Sequence, residues 1–153
     1  MNFSFSVLSM MQEIWHYIFY SDLGRDFNNA ALLVFRLFLC FQMLRVHGSK
    51  KIAAGDLGEA EVVPNPLGLP PELNQAIAVF SGVVAPVFIA FGFLTRLAAV
   101  PVLAVTLTGY FVVHRRDTPI VRDVPFMYSL SYLYIFLTGA GRFSVDCYLS
   151  QFF

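Results

Sequence analysis

Charged side chains are scarce in this 153-residue chain: Asp, Glu, Lys and Arg together make up 13% of it, and the formal net charge is zero. No basic tract is present, so the sequence gives no electrostatic reason to expect a nucleic-acid partner. Cysteine is also rare: the two present, Cys40 and Cys147, lie far apart and form no C-x-x-C pair. A disulfide between them is therefore not expected.

The motifs of enzymes and pumps that work alone are missing. The sequence contains no phosphate-binding G-x-x-x-x-G-K-[ST] loop, no G-x-S-x-G nucleophile turn and no H-E-x-x-H zinc motif. Its long apolar stretches contain no pair of acidic residues that could relay protons. These absences argue against a self-sufficient hydrolase or ion pump.

Long apolar stretches are what the chain has instead. Hydrophobic residues make up 58% of it, and four stretches, at about residues 30–47, 73–95, 97–113 and 124–140, come near the length of a helix that crosses a bilayer. The last three contain no Lys, Arg, Asp or Glu. We therefore predict an all-α protein whose residues 30–150 form a four-helix transmembrane bundle in contact with the lipid bilayer.

Residues 1–29 form a separate segment before the first predicted span. Apolar residues recur there at helical spacing, and polar residues fall mainly elsewhere on the helical wheel. The pattern predicts an amphipathic helix in the membrane interface, followed by a polar linker. A helix docked on a neighbouring subunit would show the same pattern and stays an alternative. Asn28 or Asn29 is the expected N-cap of the first span.

The stretch between the first two spans, residues 48–72, is a sizeable loop rich in acidic residues and proline. Four spans place this loop on one membrane face and both chain ends on the other, which we call the terminal face. Six basic residues lie near span ends on the loop side and three on the terminal side, which predicts a cytoplasmic loop. The six are Arg45, Lys50, Lys51, Arg115, Arg116 and Arg122, and the three are Arg25, Arg96 and Arg142.

Arg36 falls inside the first span, where a charged side chain is costly and calls for a partner or a role. Arg96, Arg142 and Asp146 are predicted to belong to the same terminal face, and Asp146 is the nearest carboxylate. One interpretation is an ion pair between Arg36 and Asp146 that holds the C-terminal segment against the first helix. The other is a cationic pocket for a lipid phosphate, a carboxylate or a quinone carbonyl.

His47 and His114 end the first and third spans, and histidines from facing helices can bind haem or a metal ion. Both lie at the predicted membrane rim beside basic residues, and no further Cys, Asp or Glu has ligand spacing. Ordinary interface residues are therefore the favoured interpretation, and neither a metal site nor haem is expected.

Three sequence blocks point to a known family. They are HGSKK from His47, GFLTRLAA from Gly92 and GAGRFSVD from Gly139. Together with Arg36, these blocks resemble the DoxX family of small four-helix membrane proteins, over about residues 30–149. The resemblance implies a bacterial plasma membrane location and an association with membrane redox systems, such as thiosulfate:quinone oxidoreductase and oxidative-stress complexes, beside other subunits. Its G-x-G-R-x-S-x-D ending adds Ser144 to the candidate site.

Two positions depart from the family pattern. Many relatives carry a glutamate in the second span where this chain has Gly82. They carry another at the start of the fourth span, which in this chain is either replaced by Asp123 or lost. The loss of an intramembrane acid favours an accessory or structural subunit of a quinone-linked redox complex, with other membrane proteins as partners. A quinone-linked oxidoreductase subunit with its own pocket, and a bundle that binds or transports a lipid or small molecule, remain alternatives. The cofactor stays unassigned, and a quinone is compatible with the sequence.

Overall fold

The computed structural model describes residues 7, 10, 11, 13–15, 22–48 and 63–151, and within these ranges the chain forms helices and turns but no strand. Four long helices follow one another there: α1 Asp26–Gly48, α2 Pro71–Phe91, α3 Thr95–Val113 and α4 Pro119–Thr138. A short helix, α5 Val145–Leu149, comes after them. The all-α prediction is confirmed for the described residues.

Each of the first three helices contains one π-helical turn. Leu44–Gly48 ends α1, Phe80–Val84 interrupts α2, and Gly109–Val113 ends α3. The turn in α2 lies just before Pro86, which has no N–H to donate to the carbonyl one turn earlier. The backbone hydrogen bonds of α2 are thus rearranged at its proline.

Helices α1, α2 and α3 are long and apolar enough to cross a bilayer, with mean hydropathies of 1.6, 1.8 and 1.7 over their most apolar windows. Helix α4 has 20 residues, but Arg122 and Asp123 lie near its start, and several tyrosines and serines follow. These polar groups lower its hydropathy, so the fourth span stays a prediction. Helices α1 and α4 begin before the apolar stretches at 30 and 124, because the residues that precede each stretch, polar ones included, are also helical.

Several polar side chains are buried between the helices, and many large apolar side chains are exposed. Phe38 and Phe41 of α1 are 71% and 61% exposed, which a protein surrounded by water would avoid on this scale. Lipid tails are as apolar as these side chains, so a surface of this kind is stable in a bilayer. With the three candidate spans, it identifies a multi-pass membrane protein. The buried polar residues are Asn29, Arg36, Ser81, Thr95, Thr106, Ser129 and Asp146.

The core between the helices is built from small and apolar residues. Cys40 of α1, Ala85 of α2, Ala99 of α3 and Tyr132 of α4 are all fully buried in one cluster. Alanine at a helix interface lets two backbones approach closely. Helix α3 packs along α4 and also against α2, and α1 packs mainly on α2.

The predicted N-terminal helix and the loop lie largely outside the described residues. Within the N-terminal segment, residues 7, 10, 11 and 13–15 are helical, and Met10, Met11, Ile14 and Trp15 are exposed. The interfacial position of this segment stays a prediction. Residues 49–62, which include Lys50 and Lys51, are also outside the described ranges, and so is most of the loop at 48–72.

Two tight turns bring the terminal face together. Gly92 (φ 70°) and Leu94 (φ 46°) take left-handed conformations in the turn from α2 to α3. Gly139 (φ 75°) ends α4, and the chain then turns back so that residues 139–144 lie against α1 before α5 begins. The starts of α1 and α3 therefore meet the C-terminal segment on one face.

Candidate functional site

Arg36 lies in the middle of the contacts on the terminal face. Its side chain is 1% exposed. One terminal nitrogen, Nη1, donates to the carbonyl oxygen of Ala140, and the other, Nη2, donates to that of Phe143 at 3.0 Å. Nε has no acceptor within the described part of the chain. Residues 139–144 are not helical, so their carbonyl groups are free to accept these bonds from a guanidinium.

Gly92 makes room for this arrangement. A Cβ atom at Gly92 would stand 2.5 Å from the Cβ of Ser144 and 3.1 Å from Nη1 of Arg36. The φ of 70° at Gly92 is also one that other residues adopt only with strain. The turn from α2 to α3 therefore needs glycine here both for its backbone conformation and for the close approach of the C-terminal segment.

Asp146 binds the start of α3 and makes no direct contact with Arg36. Its two carboxylate oxygens accept hydrogen bonds from the backbone N–H groups of Leu94 (2.7 Å) and Thr95 (2.9 Å). Its own N–H donates to the carbonyl oxygen of Gly92 at 2.8 Å. The first N–H groups of a helix have no partner within the helix, and a negative charge is favourable at that end. Asp146 thus caps α3 from a distant part of the chain.

The surroundings of Asp146 act on its ionisation in opposite directions. Burial raises the pKa of the carboxyl group above its ordinary value, because the charged form loses solvation. The hydrogen bonds from Thr95 and Leu94 and the nearby charge of Arg36 act to lower the pKa, but burial is the larger effect.

The expected ion pair between Arg36 and Asp146 is absent from the described residues, where the two ion pairs present are His114 with Asp117 and Arg142 with Asp26. The reason is that backbone groups satisfy both side chains. The returning segment supplies carbonyl oxygens to Arg36, and the start of α3 supplies N–H groups to the carboxylate. Both groups are satisfied by backbone, so the C-terminal segment is held to α1 without a direct contact between the two charges.

Asn29 joins three parts of the terminal face and is 1% exposed. Its Oδ1 accepts from the backbone N–H groups of Leu23 (3.2 Å) and Arg142 (3.0 Å). Its Nδ2 donates to Oδ1 of Asp22 (2.8 Å) and to the carbonyl oxygen of Arg25 (3.0 Å). The hydrogen bond from Asn29 is the largest cause that lowers the pKa of Asp22. Asn29 is therefore not an N-cap; the helix begins earlier, with Arg25 at that position.

The remaining predicted site residues surround this cluster. Arg142 forms an exposed ion pair with Asp26 at 2.9 Å. Arg96 donates from Nε to the carbonyl oxygen of Phe136 at 3.2 Å, which connects α3 to the end of α4. Ser144 accepts from the N–H of Cys147 at 3.1 Å and so caps α5. Arg36, Ser144 and Asp146 thus share one cluster, with Arg96 and Arg142 at its edge, and their role as a ligand site stays a prediction.

The two histidines have different neighbours. His47 packs edge-on against the ring of Tyr128, with 5.7 Å between the ring centres. His114 contacts Asp117 at 2.7 Å in the turn after α3. Within the described residues no group of three His, Cys, Asp or Glu side chains is placed to hold a metal ion. Cys40 and Cys147 are both free thiols.

The cavities on the surface of the described structure include the following two. The larger, about 460 Å³, lies between α1 and α4 and has Phe35 and Tyr134 among its lining residues; their rings meet edge-on at 5.8 Å. Arg36 does not line it. The smaller, about 140 Å³, lies where α3 meets α4 and includes Tyr110 and Arg122.

A comparison with protein families decides the classification. The DoxX family matches residues 31–115, more than half of the chain. The chain belongs to the DoxX family. A protein of Haemophilus influenzae described as an uncharacterized protein is 25% identical over 130 residues, which cover 81% of this chain and 86% of that protein. No solved structure matches the chain.

The DoxX match contains one half of the terminal cluster. Arg36 and the turn at Gly92 fall inside residues 31–115, whereas the carbonyl groups that accept from Arg36 and the carboxylate of Asp146 come from residues 139–146, beyond the matched region. In this DoxX protein the C-terminal segment therefore completes contacts that begin in the family region.

Proposed function

We propose that this DoxX protein is an accessory or structural subunit of a larger quinone-linked redox complex in the bacterial plasma membrane. The observation that carries the proposal is the position of Arg36. Its guanidinium is buried and donates to two backbone carbonyls. A charge used in this way stabilises the fold of the chain, and a substrate that bound Arg36 would compete with the carbonyl oxygens of the C-terminal segment.

The surface of the helices supports an assembled state. Buried polar side chains bond within the bundle, as in the 2.9 Å hydrogen bond between Ser129 of α4 and Thr106 of α3. Large apolar side chains point outward, and Phe27 near the start of α1 is 81% exposed. Such a surface suits packing against lipid and against other membrane helices. The link to redox chemistry comes from the DoxX resemblance, whose members are associated with such complexes.

The proposed topology has four spans, with α4 as the fourth. Helices α3 and α4 pack side by side along their length, so a bilayer crossed by α3 would surround α4 as well. Both chain ends then lie on the terminal face, and the count of basic residues favours a cytoplasmic position for residues 48–72.

The test is to extract the protein from its native membrane in mild detergent and to identify, by mass spectrometry, the polypeptides and lipid-soluble molecules that copurify. We expect redox subunits at a fixed ratio to this chain. In an Arg36→Gln variant that still reaches the membrane, the amount of copurified redox subunits should fall in proportion to the amount of folded protein. A lone chain that carries a quinone would contradict the accessory role.

A quinone site within this chain is the second candidate, and the cavity between α1 and α4 favours it. Its volume of about 460 Å³ is in the range of small-molecule sites, and Phe35, Tyr134 and Asn28 give it two rings and an amide. Tyr134→Leu should then release bound quinone, whereas Tyr148→Leu, which changes an exposed tyrosine of α5 outside this cavity, should not. Equal quinone content in both variants would rule the site out.

A further inference from the structure

Arg122, near the start of α4, lies over an aromatic ring rather than beside a carboxylate. The carbon of its guanidinium is 4.6 Å from the centre of the Tyr110 ring at the end of α3. Its Nε is buried and donates to no acceptor in the described chain. Neither of the two ion pairs among the described residues includes Arg122. The ring orients the guanidinium, because a cation is attracted to the face of an aromatic side chain. Since Nε is buried, the terminal N–H groups are the ones left to bind an external anion.

The guanidinium borders a small cavity that suits a headgroup. The cavity measures about 140 Å³ and is lined by Tyr110, Pro119, Arg122, Asp123 and Phe126. The helix surface next to it is strongly apolar: Phe111 is 62% exposed and Ile120 is 84% exposed. An anion bound here would therefore have a wide apolar surface beside it. The acyl chains attached to the phosphate of a phospholipid can pack on such a surface.

The turn between α3 and α4 adds positive charge. Arg115 and Arg116 are both exposed in this turn. Of the nearby acids, Asp117 is engaged by His114 at 2.7 Å. Asp123 lines the cavity and is the acid that opposes an anion there. Arg115, Arg116 and Arg122 outnumber the carboxylates Asp117 and Asp123, so the turn keeps a net positive charge. Basic residues at a membrane surface attract anionic lipids.

We propose that the turn between α3 and α4 binds the phosphate of an anionic phospholipid, with Arg122 as the residue that contacts it and Arg115 and Arg116 as flanking charges. The guanidinium supplies planar N–H donors, which suit phosphate oxygens. The site is independent of the accessory role proposed above and of the terminal cluster at the opposite end of the helices. It also lies on the membrane face for which the charge count favours a cytoplasmic position.

Native mass spectrometry of the purified full-length protein tests the proposal. The protein in detergent is titrated with phosphatidylglycerol or with phosphatidylcholine, and the retained lipid is counted. We expect preferential retention of phosphatidylglycerol, reduced about fivefold or more in Arg122→Gln. Arg25→Gln removes an exposed arginine from the terminal face and should retain the lipid as the wild type does. Equal retention of both lipids by the wild type, or full retention by Arg122→Gln, would overturn the proposal.

Two further measurements separate a lipid site from the effects of misfolding and from a site for soluble anions. The double variant Arg115→Gln and Arg116→Gln changes exposed residues only, so it tests the flanking charges even where Arg122→Gln fails to fold; we expect weaker retention of phosphatidylglycerol. Inorganic phosphate, added as a competitor at matched ionic strength, should displace little lipid, because it has no acyl chains to bind the apolar surface. Complete displacement by phosphate would mean a soluble-anion site and would contradict a lipid site.

Discussion

The guanidinium of Arg36 donates a 3.0 Å hydrogen bond to the carbonyl oxygen of Phe143, and so joins the middle of α1 to the segment that follows α4. A buried cation in a membrane protein must find acceptors, because removing it from water without them is very costly. Here the acceptors are backbone carbonyls of a chain segment that glycine turns back over the bundle. Residues 139–144 are therefore held against α1 as part of the terminal face.

The first prediction compares Arg36, which contacts the segment after α4, with Arg142, which contacts the start of α1. Arg36→Gln removes a charged donor of two hydrogen bonds and leaves the carbonyl groups of Ala140 and Phe143 without their partner. We expect the free energy of unfolding to fall by about 3 kcal/mol. Arg142→Gln breaks an exposed ion pair and should cost less than about 1 kcal/mol. Denaturation of both variants in detergent measures the difference, and equal losses would contradict a structural role for Arg36.

The second prediction separates backbone strain from crowding at Gly92. Gly92→Ala places a Cβ 2.5 Å from that of Ser144, at a φ of +70°. Gly68→Ala has a similar φ of +64° with nothing within 4 Å of the new atom. We expect Gly68→Ala to cost about 1 kcal/mol from strain alone, and Gly92→Ala about 3 kcal/mol because crowding is added. Similar losses in the two variants would mean that the C-terminal segment does not approach Gly92 closely.

The third prediction compares two neighbouring asparagines. Asn29→Ala removes four hydrogen bonds from a side chain that is 1% exposed, and we expect a loss of about 2 kcal/mol or more in the free energy of unfolding. Asn28 is exposed and makes one long bond of 3.4 Å to the carbonyl of Leu23, so Asn28→Ala should change stability by less than about 0.5 kcal/mol. The reverse order would show that Asn28, and not Asn29, organises the start of α1.

The fourth prediction is a pH dependence. Burial raises the folded-state pKa of Asp146 above its ordinary value of 3.8, so the folded protein holds this proton more tightly than the unfolded chain. The stability that this titration contributes is fully present below pH 3.8 and is lost as the pH rises through the folded-state pKa. Asp146→Asn does not titrate. The stability of the wild type relative to this variant should therefore be greater at about pH 3 than at about pH 7; a larger difference at neutral pH would show a lowered pKa instead.

The helices of the bundle could be predicted because their signal lies in long apolar stretches, and three of them meet the length and hydropathy of a span. The need for a partner of Arg36 could also be predicted, since an isolated charge in a span is costly. The identity of these partners could not be predicted. Carbonyl oxygens belong to every residue, so no residue type in the sequence marks Ala140 or Phe143 as acceptors, whereas Asp146 stands out as a carboxylate.

Asn29 was missed for a related reason. Asparagine is favoured at N-caps, and the apolar stretch begins one residue later, so the sequence predicts a helix start there. The helix instead includes the polar first turn from Asp26 onward, which places the Asn29 amide inside the helix and against Leu23 and Arg142. The sequence does not show that the chain after α4 turns back to the start of α1. Without that information, the contact between Asn29 and the G-x-G-R block could not be predicted.

Our central proposal is that Arg36 serves to hold the C-terminal segment against α1 rather than to bind a ligand. Cryo-electron microscopy of the protein extracted with its native lipids and any bound subunits tests this most directly. We predict density for Arg36 in contact with the carbonyl groups of Ala140 and Phe143, together with further polypeptides packed on the helices. A guanidinium turned away from those carbonyls and in contact with a quinone, a carboxylate or a lipid phosphate would contradict the claim.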